Sequence, residues 1–234
     1  MIRVDGVLIT RPEPGASQTA HNITALGLTP VMAPVTEIVP AGPIHLSGDF
    51  AATVLTSGNA IDACPPACRS RPAFAVGSAT ARRAREAGFT HVVDADADAA
   101  ALPALIGTTI GTRRQTLFLP AGRGQVGALS SALRAQGWRV VRRVAYRTEP
   151  VATLPEAAVS ALQAGKIRWA LFFSAETARQ FVRLAHCAGV VGTLGVIEAV
   201  SISERTAMAL SALPWRHIRI AARPNQDAML VLLQ

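Results

Sequence analysis

The chain has 234 residues, of which 50% are hydrophobic and 16% charged, so it buries a sizeable core as one large domain or two small ones, and global disorder is excluded. Its formal net charge of +8 indicates an anionic partner. Aromatic residues make up only 5% and the arginines form no long run, which argues against a nucleic-acid surface, and a small anion with several charges fits at least as well.

Short apolar runs alternate with helical patterns along the whole chain. This alternation predicts an α/β fold with parallel sheets rather than a sandwich or a helical bundle. In chain order the predicted strands are "GVLIT", "PVMAPVTEIV", "FAATVLTS", "AFAVGS", "HVVDA", "TLFLPAG", "WRVVRRVAYR", "RWALFFS", "VIEAVS" and "IRIAA". The helical patterns between them are "GASQTAHNITALG", "GNAIDA", "ATARRAREAG", "AAALPALIG", "GALSSALRAQG", "AETARQFVRLA", "ERTAMALSAL" and "NQDAMLVLL".

Three pairs of segments are similar in the same order, which indicates an internal repeat. The segment "VLITRPEPGASQTAHNITALGLTPV" resembles "TLFLPAGRGQVGALSSALRAQGWRV", "TVLTSGNAIDA" resembles "LFFSAETARQF", and "AVGSATARRA" resembles "SISERTAMAL". The repeat predicts two similar halves of about five strands each. It pairs Thr10 with Pro120, Gly27 with Gly137, Ser57 with Ser174, and Thr80 with Thr206.

Equal halves result only if the first two strands join the last three. We therefore expect a discontinuous domain one of residues 1–37 and 148–234 and an inserted domain two of residues 38–147. The chain would cross between them near "PVTEIVPAG" and "AYRTEPVAT", where prolines favour extended linkers.

The predicted strands end in small, hydroxylic or glycine residues. Ligands of open parallel sheets bind at the carboxyl ends of the strands, where helix N-termini attract anions. These ends predict a site for carboxylates or phosphates, although serine and threonine there also cap helices. The strand-end residues are Thr10, Arg11, Thr56, Ser57, Gly77, Ser78, Gly122, Arg123, Ser174 and Ser201–Ser203.

Other motifs are weaker. The loop "GRGQVG" matches a dinucleotide-binding pattern and Glu149 follows at a suitable distance, so a dinucleotide-dependent enzyme is an alternative. The acidic run Asp94–Asp98 lacks the remainder of a calcium loop and more simply caps the next helix. The cysteines and histidines form no metal pattern, so we expect no metal.

The beginning of the chain lacks the features of a signal peptide. The longest weakly polar run, Cys187 to Ile197, is too short to span a bilayer. We therefore expect a cytoplasmic protein without a membrane partner.

Taken in order, several segments resemble the uroporphyrinogen-III synthase family over nearly the whole chain. They are "VLITRPEPGASQTAHNITALG", "VLTSGNAI", "AVGSATARRAREAGF", "LFLPAGRGQVGALSSALRAQGWRVVRRVAYRTEP", "FFSAETARQF" and "AARPNQDAML". The resemblance implies two flavodoxin-like α/β domains joined by two extended linkers. It also implies a cofactor-free lyase of haem biosynthesis, which closes hydroxymethylbilane, a linear octacarboxylate tetrapyrrole, with inversion of ring D and loss of water.

The resemblance also assigns roles to residues. The family's tyrosine falls on Tyr146, the only tyrosine of the chain, and it is expected to assist departure of the ring A hydroxyl. The product is expected between the domains, held by backbone amides and hydroxyls. The expected substrate-binding residues are Thr10, Arg11, Thr56, Ser57, Gly77, Thr80, Gly122, Arg123, Ser174, Ser203 and Thr206.

One departure from the family pattern stands in "SISERTA", where Ser203 replaces a usual glycine and Glu204 adds an acid near the expected anion site. This departure keeps open the alternative of a noncatalytic, tetrapyrrole- or anion-binding regulatory relative. For the enzyme we expect a monomer that binds hydroxymethylbilane, contacts hydroxymethylbilane synthase transiently, and binds no nucleic acid.

Overall fold

The computed structural model describes residues 5–95, 102–111 and 115–234, so Asp96 and Asp98 of the acidic run lie outside the described residues. The chain divides into two units. The first consists of Met1–Glu37 and Glu149–Gln234, and the second of Ile38–Thr148.

Strands and helices alternate along most of the chain. The strands are β1 (Gly6–Ile9), β2 (Thr29–Met32), β3 (Thr36–Pro40), β4 (Ala52–Leu55), β5 (Pro72–Ala75), β6 (His91–Asp94), β7 (Thr116–Gly122), β8 (Arg139–Pro150), β9 (Ile167–Phe172), β10 (Glu198–Ser201) and β11 (His217–Ile220). The helices are α1 (Gly15–Ala25), α2 (Ser78–Glu86), α3 (Leu102–Ile110), α4 (Gly127–Ala135), α5 (Glu156–Gln163), α6 (Ala175–Cys187), α7 (Glu204–Leu210) and α8 (Gln226–Leu230).

The first unit contains a parallel sheet in the order β11-β10-β9-β1-β2. Successive residues of its strands face opposite cores, as the period of two requires. In β1, Leu8 packs in the core that includes residues of α5, α6 and α7. Its neighbours Val7 and Ile9 pack in the core that includes residues of α1 and α8. Helices therefore cover both faces of this sheet.

The second unit is layered in the same way around a sheet in the order β3-β8-β7-β4-β5-β6, in which β4 to β8 are parallel. In β4, Leu55 packs in a core with Ala81 and Ala84 of α2. Its neighbour Val54 packs with residues of α3 and α4 on the other face. The predicted α/β class with parallel sheets is confirmed.

The two sheets have equivalent strand orders. When the order β2-β1-β9-β10-β11 is aligned with β8-β7-β4-β5-β6, the segments that the repeat pairs take equivalent places. The first two strands of the first unit, β1 and β2, thus correspond to the last two of the second unit, β7 and β8. Ser57 and Ser174 both precede a helical turn in extended conformation. Thr80 and Thr206 are both the buried third residue of a helix.

Three details differ from the sequence prediction. The run "PVMAPVTEIV" forms two strands that belong to different sheets, so the second sheet has six strands rather than five. Its second part pairs with β8, and hydrogen bonds join Ala41 N to Ala145 O at 3.0 Å and Val151 N to Val35 O at 3.1 Å. These bonds pair backbone groups of one crossing segment with backbone groups of the other. The predicted helix "GNAIDA" is only a 3₁₀ turn, Gly58–Ala60.

Candidate active site

Each sheet has a point at which its strand order reverses, and ligands of open α/β sheets bind outside the carboxyl ends of strands at such a point. In the first unit this point lies between β1 and β9, which end just before Thr10 and Ser174. In the second unit it lies between β7 and β4, near Gly122 and Ser57. The strand order thus brings predicted residues together within each unit.

Tyr146 lies at the carboxyl end of β7. It is the β8 residue in register with Gly122, and its carbonyl oxygen accepts a hydrogen bond from Arg123 N at 3.0 Å. The side chain is only 3% exposed and packs with Ala60 and Ala145. Its hydroxyl donates to Oε1 of Gln125 at 2.9 Å.

Gly122 makes this arrangement sterically possible. A Cβ atom at position 122 would lie 2.9 Å from Cε2 of Tyr146 and 2.8 Å from Cδ of Gln125. Distances this short force neighbours to shift. The first glycine of "GRGQVG" therefore has a structural role, because it leaves space for the Tyr146 phenol to contact the Gln125 amide.

The predicted hydroxyl groups are largely engaged within their own units. Oγ1 of Thr10 donates to Leu171 O at 2.6 Å and ties β1 to β9. Oγ of Ser174 accepts from Thr177 N at 3.1 Å, and Oγ of Ser203 accepts from Thr206 N at 3.4 Å. These serines cap α6 and α7, which is the alternative role that serine has at strand ends.

Helices α2 and α4 of the second unit begin differently. The residue before α2 is Gly77, with φ 86° and ψ 146°, and the residue before α4 is Val126, with φ 60°. Neither helix has a side-chain cap among the described residues. Their first N–H groups, which have no partner inside the helix, point toward the carboxyl edge of the sheet.

The two predicted arginines have different surroundings. Nη1 of Arg11 donates to Oε1 of Gln226 at 3.1 Å and to Oγ1 of Thr19 at 3.4 Å, and its guanidinium lies 4.3 Å from the centroid of the Phe173 ring. Burial lowers the pKa of Arg11 from its ordinary value, while the Glu13 carboxylate opposes that shift. Arg123, in contrast, is exposed.

Comparison with known proteins assigns the family. The uroporphyrinogen-III synthase model, HemD, matches residues 17–231. The chain belongs to the uroporphyrinogen-III synthase family. It is therefore a cyclising lyase of haem biosynthesis, which takes hydroxymethylbilane as its substrate and forms uroporphyrinogen III with inversion of ring D and loss of water.

Solved structures with this name share the fold. Uroporphyrinogen-III synthetase from Helicobacter pylori is 19% identical with a TM-score of 0.60, and the match covers 97% of each chain. A mutant uroporphyrinogen III synthase from the extremely thermophilic bacterium Thermus thermophilus is 18% identical with a TM-score of 0.50, covering 97% of this chain and 96% of the other. No curated protein gives a significant match.

The serine that departs from the family pattern is accommodated without backbone strain. Ser203 has φ −160° and ψ 162°, an extended conformation that any residue adopts. Oγ of Ser201 further donates to Ser203 O at 2.6 Å, and Ser203 N donates to Oγ of Ser201 at 3.3 Å. The turn that begins α7 in this family member is thus built around serine hydroxyls.

The sequence did not single out Gln125, which contacts the hydroxyl of Tyr146. Its only signal was its place in the "GRGQVG" loop. In the described part of the chain, no group of three or more His, Cys, Asp or Glu side chains could hold a metal ion. No helix within residues 5–95, 102–111 and 115–234 is long and apolar enough to cross a membrane.

Proposed function

We propose that the chain closes hydroxymethylbilane with two kinds of groups of its own. The phenol of Tyr146 assists departure of the ring A hydroxyl. Strand-end groups of both units bind the carboxylates and hold the two ends of the linear tetrapyrrole, so that the substituted carbon of ring D is attacked. The observation that carries this proposal is the location of the only tyrosine, at the carboxyl end of β7 where the strand order of its sheet reverses.

A phenol is a suitable group for this step. It donates a proton to the leaving oxygen as the C–O bond breaks and the electron pair departs with water. The azafulvene cation that remains is intrinsically reactive, so modest acid assistance is enough. Closure of the ring then releases one proton, which returns to the phenolate and restores Tyr146.

For the carboxylates, we propose that backbone N–H groups are the principal donors at the predicted positions. The hydroxyls of Thr10, Ser174 and Ser203 already make hydrogen bonds within the first unit, which supports this choice. The exposed side chain of Arg123 and the net charge of +8 add favourable electrostatics for a polyanion. The proposed binding positions are Thr10, Arg11, Thr56, Ser57, Gly77, Thr80, Gly122, Arg123, Ser174, Ser203 and Thr206.

The activity is tested by supplying hydroxymethylbilane to the purified chain and resolving the uroporphyrin isomers after oxidation. We expect the type III isomer in excess over the type I isomer that forms spontaneously. Type I alone would contradict the enzymatic function and would leave a binding role for the chain.

The role of Tyr146 predicts that Tyr146→Phe lowers kcat by about 10²-fold, the lower end of what general acid catalysis contributes. Binding of the product should change much less, because the ring keeps its packing against Ala60 and Ala145. Initial rates and a product titration measure the two effects. An unchanged kcat would exclude the acid role.

We also propose that the enzyme acts as a cytoplasmic monomer with transient contact to hydroxymethylbilane synthase. One chain carries all the binding positions named above, which supports a monomer. The substrate cyclises spontaneously to the wrong isomer, so a short path from the enzyme that makes it limits this loss. Sedimentation of the chain alone tests the monomer, which a stable dimer would contradict. The isomer ratio measured with that synthase supplying the substrate, compared with free substrate, tests the contact, which an unchanged ratio would contradict.

A further inference from the structure

We infer that Gln125 is a positioning residue for the proposed chemistry, and that its side-chain amide holds the Tyr146 hydroxyl and serves it alternately as hydrogen-bond acceptor and donor. This inference rests on the proposed role of Tyr146 and extends it to a second residue. The contact that supports it is the 2.9 Å hydrogen bond from the phenol to Oε1 of Gln125.

The geometry of this pair is fixed from both sides. Gln125 N donates to Gly122 O at 3.1 Å, which closes the turn after β7, while Arg123 N donates to Tyr146 O at 3.0 Å. The absence of a side chain at Gly122 leaves the space in which the ring and the amide meet. A single turn therefore determines where the phenol and the amide lie.

The next residue adds a backbone constraint. Val126 has φ 60° and ψ 22°, a left-handed conformation that is costly for a β-branched residue and persists only where the surroundings enforce it. It stands between Gln125 and the first residue of α4. Strained residues of this kind concentrate at functional sites, and here the strain fixes the direction of the chain at Gln125.

Tyr146 and Gln125 differ in their exposure to solvent. Tyr146 is 3% exposed, whereas Gln125 is exposed to solvent. The phenol has one proton, so while it donates to Oε1 of Gln125 it cannot donate to a substrate oxygen. Proton transfer thus requires the amide to change its role.

An amide is able to do this because it carries an acceptor and two donors. Rotation about the last side-chain bond places Nε2 toward the phenol oxygen and frees the phenol proton for the leaving hydroxyl. The O–H bond of Tyr146 then breaks, the proton joins the departing oxygen to give water, and an N–H of Gln125 donates to the phenolate. A carboxylate at this position would accept a hydrogen bond from the phenol but could not donate one to the phenolate.

The test compares Gln125→Met and Gln125→Glu, each in the wild-type and the Tyr146→Phe background. Methionine keeps an unbranched side chain without the amide, and we expect kcat to fall about tenfold, the effect of one lost hydrogen bond, with little change in KM. Glutamate should lower kcat at least as much. In the Tyr146→Phe background neither change should lower kcat further.

Gln136→Met is the matched control, because Gln136 is an exposed glutamine at the other end of α4; its kcat should equal that of the wild type. A spectroscopic measurement complements the kinetics. Since the chain has one tyrosine, its Raman doublet reports the hydrogen bonding of Tyr146 alone. The doublet should change in Gln125→Met, whereas Gln125→Glu should retain a phenol that donates.

The outcomes distinguish this inference from the proposed function. A wild-type protein that forms only the type I isomer overturns the proposed function. If the wild type forms the type III isomer, equal losses of kcat in both backgrounds overturn the positioning role of Gln125 alone. An unchanged Raman doublet in Gln125→Met likewise overturns it.

Discussion

The turns that begin α2 and α7 occupy equivalent places in two sheets of equivalent strand order. They differ in how they provide hydrogen-bond acceptors for the first N–H groups of their helices. Before α2 stands Gly77, at φ 86° and ψ 146°, and no side chain of the described residues caps the helix. Before α7 stands Ser203, at φ −160°, whose hydroxyl accepts from Thr206 N. The first turn depends on glycine, and within the part of the chain that the structure describes no side chain accepts from the first N–H groups of α2. The second turn supplies its own acceptor, the Ser203 hydroxyl.

The same contrast extends to the other helices that follow strands of these sheets. In the first unit, side-chain acceptors serve the helices that follow β1, β9, β10 and β11: Glu13 for α1, Ser174 for α6, Ser203 for α7 and Asn225 for α8. In the second unit, α2 and α4 have none among the described residues. The two units therefore share an equivalent strand order but differ in their helix caps, and we expect the second unit to contribute more backbone donors to a polyanion.

The largest effect that tests this contrast is expected from Gly77→Ala. The φ and ψ of Gly77 lie in a region that is essentially restricted to glycine, so the substitution should lower the free energy of unfolding by about 1–3 kcal/mol. It should also raise KM about tenfold, because the donors at the start of α2 are displaced. Urea unfolding and steady-state kinetics measure the two changes.

The control for Gly77→Ala is Gly88→Ala, at the opposite end of α2. Gly88 has φ 88°, so alanine there is also strained, but the position is remote from the carboxyl ends of the strands. We expect a loss of stability with an unchanged KM. If both variants had the same KM, the start of α2 would not bind substrate.

A smaller pair of effects should separate the two arginines. Arg123 is exposed, so Arg123→Ala should change stability by no more than about 0.5 kcal/mol while KM rises up to about tenfold, less so at high salt. Arg11 packs on Phe173 and donates to Gln226, so Arg11→Ala should cost about 1–3 kcal/mol of stability. Thermal unfolding and KM at two ionic strengths check both, and a reversed pattern would assign the substrate contact to Arg11.

The sequence predicted the fold class and the strand ends, but not the surroundings of Arg11. The alternation of apolar runs and helical patterns was enough for the α/β class, because strand and helix periods are local properties. The small and hydroxylic residues that end the apolar runs similarly indicated where strands end. That Arg11 turns inward could not be predicted, since its partner Gln226 is 215 residues away along the chain.

The same limit applies to two further features. The split of "PVMAPVTEIV" into β2 and β3 depends on which sheet each half joins, which is decided by tertiary pairing. The contact of Gln125 with Tyr146 depends on the register of β7 and β8 and on the space at Gly122. A local pattern contains neither kind of information, whereas the glycine turn itself was visible in the sequence.

The smallest expected effect concerns the serine that replaces glycine. Ser203→Ala removes the cap of α7 and should lower the free energy of unfolding by about 1 kcal/mol, whereas Ser203→Gly should cost only about a few tenths. Both variants keep the backbone N–H, so KM should stay at the wild-type value if backbone groups bind the substrate. Denaturant midpoints resolve the difference between the two variants. A higher KM in both variants, beyond what their stability explains, would instead assign the Ser203 hydroxyl to a substrate carboxylate. The turn that begins α7 would then contribute a donor to the substrate, as we expect of the turn that begins α2.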